Sequence, residues 1–199
     1  MKRHLVVMVK EPRPGRVKTR LGQSIGYTQA AWWFRHQTKR LLRELGNDPR
    51  WTTVLAVSPD HDGIGSRVWP SAMVRWPQGT GNLGDRMKTV FRRGCAFGPT
   101  LVIGADIPGI QKSDIAEGFK VLANHDVVFG RAPDGGYWLI GLRGGPTPIP
   151  QNLFKNVRWS TEHALKDTIA SLGASFDPER IGYVRTHQDV DTVEDLKKI

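Results

Sequence analysis

The sequence has 199 residues, of which 39% are hydrophobic and 24% are charged, and this composition is typical of a folded, soluble domain. The sequence has one cysteine, Cys95, which excludes an internal disulfide and a multi-cysteine zinc site. No apolar run reaches the roughly 20 residues of a membrane helix. The apolar segment Leu5–Val9 is too short for the core of a signal peptide. The formal net charge is +10, and residues 1–50 carry +9 of it, so this end of the chain is expected to attract polyanions. We therefore expect one cytoplasmic domain over residues 1–199, without membrane insertion.

Segments typical of strands and of helices alternate along the chain. Short apolar runs predict strands at His4–Val9, Thr52–Val57, Ala72–Trp76, Leu101–Gly104, Val127–Gly130 and Tyr137–Leu142. Helical spacing and capping residues predict helices over Thr28–Leu45, about Asp85–Phe97, Ser113–Ala123, Ser160 or Thr161 to about Leu172, and a short last helix opened by a capping box at Thr192 and Asp195. Loops or turns are predicted at Lys10–Gly22, Pro59–Gly65 and Gly144–Pro150.

This alternation predicts an α/β fold with a mostly parallel sheet and helices on both faces. Ligands of such sheets bind outside the carboxyl ends of the strands. The residues that directly follow each predicted strand are therefore the first place to look for a functional site.

The loop after the first strand is strongly basic and predicts a phosphate-binding site. Pro12 and Pro14 stiffen it, and Gly15 allows the backbone to approach a ligand closely. It is not a Walker A loop, since Val17 stands where that motif needs glycine. The alternative is a solvated basic surface loop. The cations, whose geometry suits phosphate oxygens, are Lys10, Arg13, Arg16, Lys18 and Arg20.

A second glycine-rich segment, Gly79–Gly84, matches G-x-G-x-x-G, with glycines at 79, 81 and 84. The match is weak evidence for a dinucleotide site, because Trp76-Pro77-Gln78 separates it from the end of the preceding strand. A loop that lets a nucleotide base or ribose approach the backbone is the favoured interpretation. Arg86, just inside the next helix, is expected to add a phosphate contact.

Several aspartates lie at predicted strand ends and are candidates for holding a hard cation. Asp106 follows a buried strand, and Pro108 and Gly109 prevent a helix from starting there. Mg²⁺ usually takes one or two protein carboxylates and completes its shell with water and phosphate oxygens. A structural turn or cap is the alternative for each aspartate, and it is the set of acidic strand ends facing a basic loop that favours a metal–polyphosphate site. The further candidates are Asp134, Asp189 and Asp191.

The sequence gives no indication of nucleophilic catalysis. The six histidines lack metal-binding spacing, no G-x-S-x-G motif occurs, and Cys95 lies in a predicted helix without an evident base. Most of the seven tryptophans are expected to serve packing, although Trp138 and Trp159 flank the candidate site and could line an acceptor pocket.

Taken together, the motifs resemble a bacterial family of glycosyltransferase-A-type transferases, and they span nearly the whole chain. The matching segments are Lys10-x-Pro12-x-Pro14-Gly15-x-Val17-Lys18-Thr19-Arg20-Leu21, Gln78-Gly79-x-Gly81-x-Leu83-Gly84-x-Arg86-Met87, Ile103-Gly104-x-Asp106-x-Pro108, Asp134-Gly135-Gly136-Tyr137-x-Leu139-Ile140-Gly141-Leu142, Trp159-Ser160-Thr161 and Asp189-Val190-Asp191-Thr192-x-x-Asp195-Leu196. The family is similar to the 2-phospholactate guanylyltransferases and, more distantly, to the molybdenum cofactor guanylyltransferases. The resemblance implies a nucleotide-diphospho-sugar transferase fold with a mixed sheet.

The resemblance also implies roles for particular residues. Lys18 and Arg20 would grip the nucleotide phosphates, and Asp106 would be the main ligand of Mg²⁺ or Mn²⁺, with Asp134 or Asp191 as the second. We further expect nucleotide contacts from Lys10, Pro12, Gly15, Arg16, Gly79, Gly81, Gly84 and Arg86, and acceptor contacts from Arg131, Gly135, Gly136, Tyr137 and Trp159. The sequence departs from the family at Gly130-Arg131-Ala132, where the family pattern has Gly-Pro-Ala, and this extra cation indicates a different acceptor.

Three functions follow as hypotheses. The first is Mg²⁺-dependent nucleotidyl transfer from a nucleoside triphosphate to a small phosphorylated acceptor, with release of pyrophosphate. The second is glycosyl transfer from a nucleotide-diphosphate sugar to a sugar acceptor. The third, and least favoured, is a non-enzymatic nucleic-acid-binding module, since no helix-turn-helix, zinc finger or aromatic-interleaved basic stripe is visible. The sequence does not indicate the oligomeric state.

Overall fold

A computed structural model describes residues 1–174 and 176–197 of the chain. Its strands are β1 (His4–Lys10), β2 (Thr52–Ser58), β3 (Val74–Pro77), β4 (Thr100–Gly104), β5 (Val127–Arg131), β6 (Tyr137–Leu142) and β7 (Ile181–Val184). Its α-helices are α1 (Thr19–Ile25), α2 (Tyr27–Leu45), α3 (Asp60–Gly65), α4 (Leu83–Cys95), α5 (Lys112–Val121), α6 (Ala164–Ala170) and α7 (Val193–Leu196), and a 3₁₀ turn covers Pro178–Arg180.

The strands of the described residues form one sheet in the order β3-β2-β1-β4-β6-β5-β7. Strand β6 runs antiparallel to its neighbours β4 and β5, and the other strand pairs are parallel. The carboxyl ends of β1, β2 and β4 therefore meet at one edge, with Lys10 opposite Ser58 in the register and Met8 opposite Gly104. The loops that follow these three strands therefore lie close together at this edge.

Alternating side chains of each strand are buried on opposite faces of the sheet, which gives the two apolar cores. On one face, Leu5 and Val7 of β1 pack with residues of α2 and α5, such as Phe34 and Ile115. On the other face, the intervening Val6 belongs to the core that α4 completes; the side chains from α4 in this second core are Met87, Val90, Phe91 and Cys95. The α/β prediction with helices on both faces is thus confirmed.

Most predicted elements match the observed ones to within two residues, and β6 agrees at both ends. Helix α4 begins two residues earlier than predicted, at Leu83. The reason is a capping box in which Asn82 Oδ1 accepts from the Asp85 N–H while Asp85 Oδ2 accepts from the Asn82 N–H. The predicted capping box before the last helix is also confirmed, with Thr192 as its N-cap.

Two segments predicted as loops or turns contain helices. Helix α1 begins inside the predicted first loop and ends three residues beyond it, and α3 occupies the predicted turn after β2. Neither has the length or the periodicity that identifies a helix in a sequence. Tertiary packing stabilises α1, because its Leu21 is fully buried against Ala30 and Val190.

The remaining differences concern two helix starts and one strand. Helix α5 has Gln111 as its N-cap in place of the predicted Ser113, and Asp114 Oδ2 accepts from the Gln111 N–H at 2.8 Å. Helix α6 starts at Ala164 and not at Ser160 or Thr161, since Ser160 has a left-handed backbone with φ 60°. Strand β7 was not predicted, because it is a four-residue edge strand beyond the last clear apolar run. None of the described helices combines the length and the apolar character needed to cross a membrane.

Candidate active site

The side chain of Lys18 lies between two carboxylates at the sheet edge where β1 and β4 end. Its Nζ is 2.5 Å from Asp106 Oδ2 and 2.6 Å from Asp191 Oδ1, and the side chain is only 6% exposed. Burial alone would lower the pKa of Lys18, but the charges of Asp106 and Asp191 and their hydrogen bonds outweigh it and raise the pKa above its usual value. Lys18 is therefore held as a buried ammonium ion.

The backbone fixes these three side chains from separate parts of the chain. Lys18 adopts a left-handed conformation at the N-cap of α1, so the chain turns sharply before the helix begins. Asp106 follows β4 directly, and its carbonyl oxygen accepts from the Val190 N–H at 3.2 Å. Asp191 precedes α7, and its N–H donates to the carboxylate of Asp195. The segment before α7 is thereby joined to the end of β4.

Asp189 completes a group of three carboxylates. One oxygen from each of Asp106, Asp189 and Asp191 lies within 4.8 Å of the others, a group found among the described residues. Burial, reinforced by the charges of Asp106 and Asp191, raises the pKa of Asp189 to about 6. Three ionised carboxylates and one ammonium leave a net charge of −2.

This donor set fits a hard divalent cation. Carboxylate oxygens are the ligands that Mg²⁺ and Mn²⁺ prefer. The ammonium of Lys18 already forms ion pairs with two of the three carboxylates, so it neutralises part of their negative charge.

A cleft of about 680 Å³ opens on one side of the carboxylates; we call it the basic cleft. The side chains of Lys10 and Arg16 are exposed in it, and the Arg20 Nη1 atom lies 3.5 Å from Asp191 Oδ2. Of the predicted nucleotide-binding residues, those that line this cleft are Lys10, Arg16, Lys18, Arg20, Gly81 and Arg86, and those that do not are Pro12, Gly15, Gly79 and Gly84.

The glycine-rich loop forms one wall of the basic cleft. Gly79 and Gly81 both have positive φ, and the Gly79 N–H donates to the carboxylate of Asp60 at 3.2 Å. The guanidinium of Arg86 donates to the Gly81 carbonyl oxygen at 3.1 Å. Gln78 anchors the start of the loop, because its buried side-chain amide donates to the carbonyl oxygens of β1 and β2. The loop is therefore held at both ends.

A second cleft, of about 270 Å³, opens on the other side of the carboxylates; we call it the apolar cleft. Asp106, Asp189, Asp191 and Arg20 line both clefts, so the carboxylates lie at their junction. The apolar wall consists of side chains that belong to the second core or pack against it, namely Met8, Met87, Val102, Tyr137, Ile140 and Trp159.

The turn between β5 and β6 borders the apolar cleft. Asp134 and Gly136 line it, but Asp134 lies outside the described group of three close carboxylates, and its Oδ1 accepts from the Gly136 N–H at 2.9 Å. Gly135 packs against the backbone of Glu162 and does not line the cleft.

The remaining predicted acceptor residues are divided between the cleft and the surface outside it. Tyr137 and Trp159 lie in the wall, as described, and Arg131 is not among the residues that line either cleft. The guanidinium of Arg131 lies over the ring of Tyr183, 4.1 Å from its centroid.

Sequence reasoning missed most of the apolar wall. Val102 and Ile140 are ordinary strand residues, and Leu83 is the first residue of α4, so no spacing pattern unites them. Tyr137 and Trp159 were predicted as acceptor contacts, whereas Leu83, Met87 and Ile140 appeared only as members of the family motifs, without an assigned role.

Residues 41–161 match the model of the family described as "Uncharacterized protein conserved in bacteria (DUF2064)". The chain belongs to the DUF2064 family. Its sequence matches no curated protein. The likeness to guanylyltransferases stays a prediction.

Solved structures with the same fold include a candidate nucleotide-diphospho-sugar transferase of Desulfovibrio desulfuricans G20. That structure aligns with a TM-score of 0.81 and 26% identity, over 98% of this chain and 85% of that one. The prediction of a nucleotide-diphospho-sugar transferase fold for this DUF2064 protein is thus confirmed.

Two more distant structures show the fold alone. Rv0371c of Mycobacterium tuberculosis H37Rv, in complex with manganese, aligns with a TM-score of 0.54 and 15% identity over 100% of this chain and 97% of that one. The 4-diphosphocytidyl-2C-methyl-D-erythritol synthase of Anaerococcus prevotii DSM 20548 aligns with a TM-score of 0.52 and 8% identity over 99% and 95%.

Proposed function

We propose that this protein is a divalent-metal-dependent transferase that takes its nucleotide donor in the basic cleft and its acceptor in the apolar cleft. The observation that carries the proposal is the position of the three carboxylates at the junction of the two clefts, two of them paired with Lys18, which lines the basic cleft. A reacting centre must contact both substrates at once, and the junction is where the two clefts share their lining. The favoured reaction is nucleotidyl transfer from a nucleoside triphosphate.

The charge of the basic cleft supports a polyphosphate ligand. Four of its five cations come from residues 10–20 and the fifth from α4, and they converge on one space. Phosphate oxygens accept hydrogen bonds from Arg and Lys with charge-assisted strength. These cations are Lys10, Arg16, Lys18, Arg20 and Arg86.

Asp106, Asp189 and Asp191 would hold Mg²⁺ or Mn²⁺. When bound, such an ion neutralises charge on phosphate oxygens and so favours departure of pyrophosphate. Lys18 is positioned to exchange its contacts, from the carboxylates to a phosphate oxygen, once another cation balances the aspartates. Arg20 lies at the junction and would bind an equatorial oxygen of the α-phosphate.

In the favoured reaction an acceptor oxygen forms a bond to the α-phosphorus while the bond from that phosphorus to pyrophosphate breaks. The acceptor must then present its oxygen at the end of the apolar cleft where Arg20 lies. An already ionised phosphate oxygen needs no base for this step, which agrees with a site that has no histidine among its described lining residues.

Glycosyl transfer from a nucleotide-diphosphate sugar is the second candidate function. It is favoured by one observation, the likeness to the candidate nucleotide-diphospho-sugar transferase of Desulfovibrio desulfuricans G20. The same carboxylates and cations would then bind the diphosphate that leaves.

A thermal-shift screen tests the proposal and separates the two reactions. Purified protein is heated with each common nucleoside triphosphate and nucleotide-diphosphate sugar, with and without Mg²⁺ or Mn²⁺. A ligand that binds the native state raises Tm by mass action, so the donor is expected to raise it by several degrees only with the metal present. A shift with a triphosphate supports nucleotidyl transfer, and a shift with a nucleotide sugar alone supports glycosyl transfer.

Asp106→Asn is the test variant, and Asp62→Asn is its matched control. Asp106→Asn should abolish the metal-dependent shift, while Asp62→Asn, whose carboxylate pairs with Arg13 outside the junction, should retain it. No shift with any nucleotide would contradict the proposed function.

A further inference from the structure

The wall of the apolar cleft differs from the basic cleft in that it carries no cationic side chain among the described residues. Among the described residues that line the apolar cleft, Arg20 is the only cation, and Arg20 lies at the junction and not in the wall. The wall is an opening into the second core, where Val102 and Ile140 are nearly fully buried. Against this wall a ligand meets side chains that cannot compensate the desolvation of a polar group. The polar side chains Asp134, Ser160 and Thr161 line the cleft outside the wall.

The polar atom that the wall itself contributes through Tyr137 has a partner within the protein. The hydroxyl of Tyr137 lies 3.3 Å from Thr168 Oγ1, so it is turned toward α6. Burial raises the pKa of Tyr137 well above its usual range, and the hydroxyl stays protonated. Tyr137 thus presents its ring, and not a free hydrogen-bonding group, to the cleft.

Two further features suit an apolar ligand. Met8 and Met87 are flexible and polarisable, so they adapt to the shape of a bound hydrocarbon. Leu83 is 45% exposed at the mouth, where it lines both clefts, and a ligand would remove its apolar surface from water. The cleft volume of about 270 Å³ lies near the lower end of the range of small-molecule pockets.

We infer that the acceptor is amphiphilic: an uncharged, apolar body fills the apolar cleft, and the oxygen that receives the transferred group lies at the end near Arg20. This inference rests on the proposed function, since it assigns the second substrate of the same site. It adds an apolar body to the expected small phosphorylated or sugar acceptor and assigns no contact to Arg131, because that side chain stacks on Tyr183 and is not among the residues that line the cleft.

Linear alcohols test the inference, because they carry one hydroxyl on an apolar chain of adjustable length. Binding of 1-butanol, 1-hexanol and 1-octanol is measured by ligand-observed NMR titration of the full chain, without nucleotide or metal. Each buried methylene is expected to tighten binding about fourfold. Glycerol, which is uncharged and polar and has no apolar chain, is expected to show no binding over the same concentrations.

Two matched variants locate the binding site. Leu83→Asn removes an apolar side chain from the mouth of the cleft, and Ile64→Asn makes the same kind of change on α3, at a side chain that is 44% exposed against 45% for Leu83. Both positions are exposed, so both variants should fold. Leu83→Asn is expected to weaken 1-octanol binding about tenfold, and Ile64→Asn is expected to leave it unchanged.

Three results would overturn the inference: affinities that do not rise with chain length, equal effects of the two variants, or glycerol binding more tightly than 1-octanol. Its failure is distinguishable from failure of the proposed function. A protein that binds a nucleotide with metal but no alcohol refutes only the acceptor class. A protein that binds 1-octanol through Leu83 but no nucleotide refutes the proposed transferase.

Discussion

Residue 18 combines a left-handed backbone with a buried charge. The conformation, φ 47° and ψ 48°, costs a lysine on the order of 1 kcal/mol relative to a right-handed one. Two short ion pairs, to Asp106 and Asp191, offset that cost in the ligand-free protein. A backbone strained in this way at a cluster of charges indicates that the position of the ammonium matters.

Replacing Lys18 should change metal affinity and nucleotide affinity in opposite directions. In Lys18→Met the aspartates lose the cation that competes with a metal, so Mn²⁺ alone should bind about tenfold more tightly. A triphosphate should bind about tenfold less tightly, because a charge-assisted hydrogen bond to phosphate is lost. Free Mn²⁺ measured by electron paramagnetic resonance and nucleotide binding measured by calorimetry give the two affinities.

The control for this prediction is Lys10→Met, which removes an exposed cation of the same cleft at the end of β1. It should weaken nucleotide binding modestly and leave Mn²⁺ affinity unchanged. If Lys18→Met changed both affinities in the same direction, the ammonium would not be exchanging between carboxylates and phosphate.

Among the elements, the turn from β5 to β6 acts as a support for the loop that carries Trp159. A Cβ on Gly135, where φ is +83°, would lie 2.2 Å from the carbonyl oxygen of Glu162. The N–H of Leu165 also donates to the Gly135 carbonyl oxygen at 3.1 Å. The turn therefore packs backbone against backbone with the segment that starts α6.

Gly135→Ala should destabilise the fold by about 3 kcal/mol, through both a left-handed alanine and the contact with Glu162. Gly109→Ala is the matched control, because Gly109 has φ +82° with nothing within 4 Å of its Cβ position. Gly109→Ala should lose only the stability that a left-handed alanine costs, about 1 kcal/mol. Urea denaturation of both variants measures the difference, and equal losses would show that the turn yields to the extra methyl group.

The elements also show which parts of the site a sequence can predict. The basic loop and Asp106 were predicted because each directly follows a strand with a strong apolar signal, and parallel strands bring such loops to one edge. The sequence could not show which of Asp134, Asp189 and Asp191 lie close to Asp106. Their positions depend on a turn in which Asp134 accepts from the Gly136 N–H and on the hydrogen bond from the Val190 N–H to the Asp106 carbonyl oxygen.

Most of the apolar cleft was beyond prediction for a related reason. Tyr137 and Trp159 were expected to contact an acceptor, but the rest of the wall consists of Met8, Met87, Val102 and Ile140, from β1, α4, β4 and β6. Each of these four has the pattern of an ordinary core residue, and only tertiary packing decides whether the space beside it is filled.

At the scale of the whole molecule, the sheet is fastened at the edge opposite the candidate site. Asp126 directly precedes β5, which runs parallel to β4, so it lies at the amino ends of these strands. Arg180, just before β7, donates to it at 2.8 and 3.1 Å, and Arg143 Nη1, after β6, lies 3.6 Å from it. One carboxylate thus joins three strands far from the carboxylate group of the two clefts.

This cluster predicts a defined dependence of stability on pH. Hydrogen bonds from Arg180, with the charges of Arg180 and Arg143, outweigh burial and lower the pKa of Asp126. The folded state therefore binds its proton less readily than the unfolded state, whose carboxyl titrates near 3.9. The stabilisation is complete above about pH 4 and is lost as pH falls through the lower folded pKa.

Asp126→Asn should lower Tm by a few degrees at pH 7, and the difference from the native chain should be smaller at pH 3, below the pKa of the unfolded carboxyl. Part of the effect should also disappear in high salt, because the arginines are well exposed and screened. Glu117→Gln, which removes a solvent-exposed pair with Lys120 on α5, should change Tm little at either pH. Thermal unfolding followed by circular dichroism gives the Tm of the native chain and of both variants at pH 7 and pH 3. If the Tm difference for Asp126→Asn were the same at both pH values, packing, and not charge, would hold β5, β6 and β7 together at this edge.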